Sequence, residues 1–317
     1  MTKIFIISEE ILIDNQKWIC DRLKEQFMKF QSNYVTNDPN EAEYIWYIAP
    51  WNYNFIPEGF TKNDWINNIL KNKKIITTIH HIDLDYLNKG KYDSQFQFIQ
   101  NYATCIHSIC NQTTENILNI KRFEVPIITQ YLWERETYFY AVNSEQKKKL
   151  REKYNIDNNS FIIGNFQNDK KSKCPEILIK IIVDMANSGK KIEVILSGRN
   201  RSYLYKNLKR YNIKFHYFYM VSIETLNELY NCLNLYIISS KYEGGPRSII
   251  ECALTNTPVI STKVGIAKEF MDPNSLFDIN DWTTYRNKKS NNEYLLKKIE
   301  FLRTEIYLDE FRNNLFS

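Results

Sequence analysis

The chain reads as an α/β protein of two domains, each built on a parallel sheet, and three observations carry that reading. Short apolar, β-branched runs alternate with amphipathic helical stretches along its whole length, as repeated βα units require. The alternation runs once through the first half and restarts near Phe161. At 317 residues, with 43% hydrophobic and 25% charged side chains, the chain is long enough for two ordinary cores and too apolar for disorder.

Strands are expected near Lys3 to Ile7, Glu43 to Ile48, Lys74 to Ile79, Thr104 to His107 and Phe123 to Ile127. Amphipathic helices near Gln16 to Phe30, Asp64 to Lys71, Tyr92 to Asn101 and Thr113 to Leu118 separate most of them. The second half reads strand Phe161 to Gly164, helix Pro175 to Ser188, strand Lys191 to Leu196, helix Ser202 to Tyr211, strand Lys214 to Phe218 and helix Ile223 to Cys232. A last apolar run, Leu233 to Ile238, is a further buried strand. Both halves are Rossmann-like, so residues that follow strands should face a cleft. The Lys- and Asn-rich stretch 144–159, with a short helix over Glu145 to Tyr154, is the expected linker between domains 1–143 and 160–290. The stretch 291–317 has helical spacing at Leu295, Leu296, Ile299, Leu302 and Ile306.

Composition removes several classes of function. No apolar run approaches the ~18 residues that span a bilayer, and Met1-Thr2-Lys3 leads straight into a strand rather than a signal peptide. A cytoplasmic protein is expected. The six cysteines form no C-x-x-C pair and no metal-type spacing with the four histidines, so packed thiols and no metal are expected. A net charge of +5 with scattered Lys and Arg does not call for nucleic acid. The surplus of basic and aromatic residues (22 Tyr, 18 Phe, 6 Trp) suits peripheral contact with the inner face of a membrane. An AT-rich codon bias raises the same residue types, and it is the preferred explanation.

The most informative stretch follows the Leu233 to Ile238 run: Ser239-Ser240-Lys241-Tyr242-Glu243-Gly244-Gly245-Pro246-Arg247-Ser248-Ile249-Ile250-Glu251. Gly244 and Gly245 let the backbone approach a ligand with no Cβ in the way, and Pro246 suits a helix start. In the helix, Ile249, Ile250, Ala253 and Leu254 make one stripe, and Arg247 and Glu251 lie on another face. Glycine N–H groups and a helix N-terminus together accommodate an anion such as a diphosphate. The competing reading is an exposed Arg247–Glu251 ion pair worth about 0.3–0.5 kcal/mol, with the glycines merely closing a loop.

This string, with Thr257-Pro258-Val259-Ile260-Ser261-Thr262-Lys263-Val264-Gly265 after it, resembles the E-x7-E region of the retaining family 4 glycosyltransferases, which have the GT-B fold. The match is specific over Leu233 to Gly265. The resemblance implies that Glu243 and the backbone of Gly244, Gly245 and Pro246 bind the sugar of a nucleotide-diphosphate donor, that Glu251 binds the ribose, and that Arg247 joins the donor-binding set. Such enzymes carry a Gly-Arg after the first strand of the second domain and a Lys before the next helix, both on the diphosphate. Gly164 and Lys173 match, whereas Asn165 replaces the Arg; Lys170, Lys171 or Arg199 is then the candidate replacement cation, with a plain surface loop as the competitor for each. His80, just past a strand, matches a histidine that hydrogen-bonds the donor sugar. His80 and Glu243 are the catalytic candidates.

Asp83-Leu84-Asp85 looks like a D-x-D metal motif but reads as a loop, and His107, Glu9 and Glu10 remain weaker acceptor candidates. The Gly-rich loop that many relatives place after the first strand is absent. The resemblance further implies a terminal helix returning to the first domain, a UDP- or GDP-sugar donor, a carbohydrate or lipid-linked acceptor, and no cofactor. The function expected is retaining sugar transfer in polysaccharide or glycoconjugate synthesis. Two alternatives stay open: a noncatalytic GT-B subunit that binds a partner, and a phosphorylase or epimerase on the same fold.

Overall fold

A computed structural model describes residues 2–8, 19–135 and 137–317. The expectations placed on Glu9, Glu10 and the first residues of the helix from Gln16 lie outside the described residues. The chain forms two compact units, one of Met1–Arg135 with Leu302–Ser317, the other of Glu136–Phe301. Each holds one parallel sheet, of five and six strands respectively.

In the first unit β1 (Ile4–Ile7), β2 (Tyr44–Tyr47), β3 (Lys74–Ile79), β4 (Cys105–Ser108) and β5 (Ile127–Thr129) lie side by side in chain order. β-Branched and aromatic residues dominate them, and alternation splits each strand between two cores. Ile4, Ile6, Trp46, Ile48 and Ile76 pack with helices Ile19–Phe30 and Glu305–Leu315. Ile7, Ile45, Tyr47, Ile75 and Ile79 pack with the helical segments 62–70, 93–102 and 111–120. After helix Ile19–Phe30, Val35 forms a single parallel bridge to Ile4. β5 begins later than its apolar run because Pro126 has no N–H to give the ladder.

The second unit comprises β6 (Phe161–Asn165), β7 (Ile192–Ser197), β8 (Lys214–Phe218), β9 (Leu235–Ile238), β10 (Val259–Thr262) and β11 (Leu276–Phe277). Their spatial order is β11-β10-β9-β6-β7-β8. The order therefore reverses between β6 and β9, and the crevice at their carboxyl ends is where open α/β sheets bind ligands.

The units divide elsewhere than at the expected linker. Asn227 and Asn231 accept the backbone N–H groups of Tyr140 and Val142 at 3.0 Å, which binds 137–142 to the second unit. Stretch 144–159 is likewise part of that unit: helix Ser144–Lys153 is anchored by buried Arg151, which donates to the Cys232 carbonyl at 2.9 and 2.8 Å and to Asn234 Oδ1 at 2.7 Å. The terminal stretch also divides, with Asn292–Ile299 in the second unit and Glu305–Leu315 in the first. Among the described residues no helix is long and apolar enough to cross a membrane.

Candidate functional site

Three loops of the second unit, after β6, β9 and β10, are tied to one another at the strand-order reversal. Ser239 Oγ donates to the Lys173 carbonyl at 2.9 Å, and the Lys241 N–H to the Ser172 carbonyl at 2.8 Å. Thr262 Oγ1 donates to the Ser240 carbonyl at 2.6 Å. The Ile266 N–H closes the set on the Gly244 carbonyl at 2.7 Å. This last contact explains Gly265, whose φ of +46° is left-handed and whose missing Cβ would stand 1.8 Å from the Gly244 oxygen.

Within this frame Glu243 is held by three donors on one oxygen. Its Oε1 lies 2.5 Å from Lys173 Nζ, 2.9 Å from Gln167 Nε2 and 3.0 Å from Ser240 Oγ. Both charged side chains are largely withdrawn from water, at 15% exposure for Lys173 and 9% for Glu243. Lys170 and Lys171 are exposed, so position in the loop separates the three lysines.

Pro246 occupies the N-cap position and the helix runs over Arg247–Leu254, as expected. Glu251 is 6% exposed and Arg247 half-buried, so the exposed ion-pair reading fails. Instead Tyr230 donates its hydroxyl to Glu251 Oε2 at 2.7 Å. Burial, followed by the Glu251 charge, pushes the Tyr230 pKa well above its ordinary value, so the phenol keeps the proton that it donates. The Phe166 ring packs edge-on against those of Tyr230 and Tyr236.

At the end of β6 two positions are engaged within the protein itself. At Gly164 a Cβ would lie 2.2 Å from Leu233 Cδ1, so the core leaves no room for a larger residue there. Asn165 itself is bonded to a buried cation, Arg201. Buried Arg201 donates through one amino group to Asn165 Oδ1 at 2.7 Å and to the Asn165 carbonyl at 3.0 Å. Asn165 Nδ2 in turn donates to the Ile237 carbonyl at 2.9 Å. The other Arg201 amino group sits 3.3 Å from Asp169 Oδ1, a charge contact rather than an aligned hydrogen bond. Burial pushes Asp169 up and Arg201 down, each toward its neutral form. Arg199 is half-buried in the turn after β7, where Gly198 takes φ +99°.

His80 belongs to the other unit, directly after β3. Its Nε2 donates to the Ile48 carbonyl at 2.7 Å, since a carbonyl can only accept, and its ring lies 5.6 Å from that of Trp51. Burial lowers its pKa to about 4, so the ring is neutral with Nδ1 as acceptor. His107 is not an acceptor contact. It is wholly buried in β4, accepting from Thr78 Oγ1 at 3.0 Å and donating to the Gln130 carbonyl at 2.9 Å. The Asp83–Asp85 triplet opens a short helix, Leu84–Leu87, with Asp83 capping the N–H groups of Asp85 and Tyr86 at 2.9 and 3.2 Å.

Sequence reasoning missed Gln167, Ser240, Tyr230 and Arg201. Gln167 and Arg201 stand in loops already singled out, but nothing local distinguishes them from their neighbours. Two cavities of about 350 and 340 Å³, one bounded by Phe161, Asp184 and Arg286, the other by Trp65 and Phe98, contain none of the candidate residues.

Two parallel-sheet Rossmann-like units with a ligand crevice at the strand reversal define a GT-B glycosyltransferase architecture. The chain belongs to the family described as glycosyl transferases group 1, whose family model matches residues 146–304. Among solved structures it is similar to Anabaena HepE in complex with UDP-glucose, with TM-score 0.77 and 12% identity over 99% of each chain. It is also similar to WaaG, a glycosyltransferase involved in lipopolysaccharide biosynthesis, with TM-score 0.61 and 12% identity over 98% of this chain and 94% of that one. Sucrose-phosphate synthase from Thermosynechococcus elongatus matches with TM-score 0.60 and 16% identity, over 98% of this chain and 76% of that one. No curated protein matches the sequence.

Proposed function

We propose that this glycosyltransferase moves a sugar from a UDP- or GDP-sugar to a hydroxyl of a carbohydrate or lipid-linked acceptor, with retention, in polysaccharide or glycoconjugate synthesis. The observation that carries the reading is the meeting of Lys173 and Glu243, from loops after β6 and β9, at the strand-order reversal. UDP is placed ahead of GDP because HepE crystals hold UDP-glucose or UDP.

In the proposed scheme Lys173 and the N-terminus of helix Arg247–Leu254 meet the diphosphate, with Arg199 and Arg247 beside it. Glu243 and the backbone of 244–246 receive the sugar, and Glu251, steadied by Tyr230, accepts the ribose hydroxyls. His80 offers Nδ1 as an acceptor for a sugar hydroxyl. Breaking the bond from C1 to phosphate builds charge on the diphosphate, so catalysis consists of stabilising that charge and positioning the acceptor. The departing phosphate takes the acceptor's proton, and no cofactor or metal takes part. The reaction is placed in the cytoplasm, with acceptors presented at the inner face of the membrane. The noncatalytic alternative rests on Asn165 in place of the arginine and on the missing Gly-rich loop of the first domain, and ordinary nucleotide-sugar turnover by the isolated chain would rule it out.

A thermal-shift screen against UDP, GDP, CMP and their sugars tests the reading. A ligand at 100 times its Kd adds about 2.7 kcal/mol. Binding of at least one sugar nucleotide, turnover lost in Glu243→Ala, and an α-linked product from an α-linked donor by NMR are expected. A chain that binds none of the panel overturns it.

A further inference from the structure

We propose that Gln167, together with Ser240, is a positioning residue that holds the Glu243 carboxylate in place when Lys173 is drawn to the donor diphosphate. The inference rests on the glycosyltransferase reading above and assigns a function to a residue that reading leaves out. In the structure Lys173, Gln167 and Ser240 converge on a single oxygen of Glu243, at 2.5, 2.9 and 3.0 Å. Lys173 cannot serve that oxygen and a diphosphate equally: its ammonium is a mobile point charge on a flexible stem, and a diphosphate carries more negative charge than one carboxylate. A carboxylate at 9% exposure that loses its cation needs other donors or it leaves its place.

Gln167 and Ser240 are suited to remain. Both are uncharged, so a diphosphate pulls on them far less than on a lysine. Ser240 has a single hydroxyl proton and gives it to Glu243 Oε1 at 3.0 Å, so its 3.5 Å approach to Gln167 Oε1 is a packing contact. The Gln167 amide must turn its nitrogen to Glu243, which only accepts. Gln167 comes from the loop after β6 and Ser240 from the loop after β9, so the pair spans the reversal and keeps Glu243 registered to both strands.

Two measurements on the full chain test this. In sugar-nucleotide kinetics, Gln167→Ala and Gln167→Glu should lower kcat/KM at least tenfold, Gln167→Asn should recover part of it, and the Kd for UDP, which lacks the sugar, should stay within twofold. In thermal melts without ligand, Lys173→Met and Gln167→Ala should each cost little, whereas the double variant should fall by about 3 °C or more beyond their sum. Additive melting, or a loss of UDP affinity parallel to that of the sugar nucleotide, overturns the positioning role. A wild-type chain that binds no sugar nucleotide but still shows the melting coupling overturns the glycosyltransferase reading while leaving Gln167 as the anchor of Glu243.

Discussion

Gly265 and Arg201 show how single residues set this site from outside it. Alanine at Gly265 would have to adopt φ +46° and stand 1.8 Å from the Gly244 oxygen. Gly265→Ala should therefore cost about 2 kcal/mol or more in urea unfolding, from the left-handed backbone together with displacement of the 243–246 turn. Sugar-nucleotide affinity should fall with it. Arg201 is a buried cation whose partners are Asn165 and Asp169. Arg201→Met leaves the Asp169 carboxylate uncompensated and should cost about 3–5 kcal/mol, and adding Asp169→Asn should restore part of the loss. Arg199→Ala, in the same loop but half-buried, should change the unfolding midpoint much less.

At the scale of elements, the two ends of the chain's last forty residues have different duties. Helix Glu305–Leu315 buries Leu308, Phe311 and Leu315 against Phe27, Trp46 and Trp133, with the Phe311 ring 5.0 Å from Trp133 and 5.9 Å from Trp46. Phe311→Ala should cost about 3–5 kcal/mol, read as a lower urea midpoint. The apolar run 291–316 announces helical structure, and it does form helices. Its division into Asn292–Ile299 and Glu305–Leu315 depends on which core each stripe meets, information that periodicity does not contain. The same limit explains the stretch 144–159. Its Lys and Asn content reads as a linker, yet Arg151 reaches carbonyl and amide oxygens of residues 232 and 234, some eighty positions away in sequence.

For the whole molecule, two histidines, His107 fully buried and His80 partly so, make stability depend on pH. His80 and His107 have pKa values lowered by burial to about 4 and about 3, from an unfolded value of 6.5. Because the unfolded chain binds these protons first, the stabilisation is complete above pH 6.5 and is lost as pH falls toward 4 and 3. Each histidine should remove about 1.4 kcal/mol per pH unit in that window. His107→Gln, which cannot take a proton, should flatten the slope of the urea midpoint between pH 6 and 4; an unchanged slope would refute the assignment.

Much of this architecture was legible in the residues themselves. Strands β3 and β8 coincide with their expected ranges to the residue; β3 is buried along most of its length, whereas β8 is a half-exposed edge strand whose β-forming residues alone mark it. Glu243, Pro246 and the helix after it were legible because the turn chemistry is local. The order β11-β10-β9-β6-β7-β8 was not, since pairing between strands 70 residues apart leaves no local mark. Nor was the grouping of Gln167, Lys173, Ser240 and Glu243, which exists only because that order brings the loops after β6 and β9 together. Local pattern thus determines which segments become strands and helices and where the tight Gly-Gly-Pro turn lies; long-range packing decides which side chains share a carboxylate, that buried Arg201 bonds Asn165, and that Leu233 leaves no room for a Cβ at Gly164.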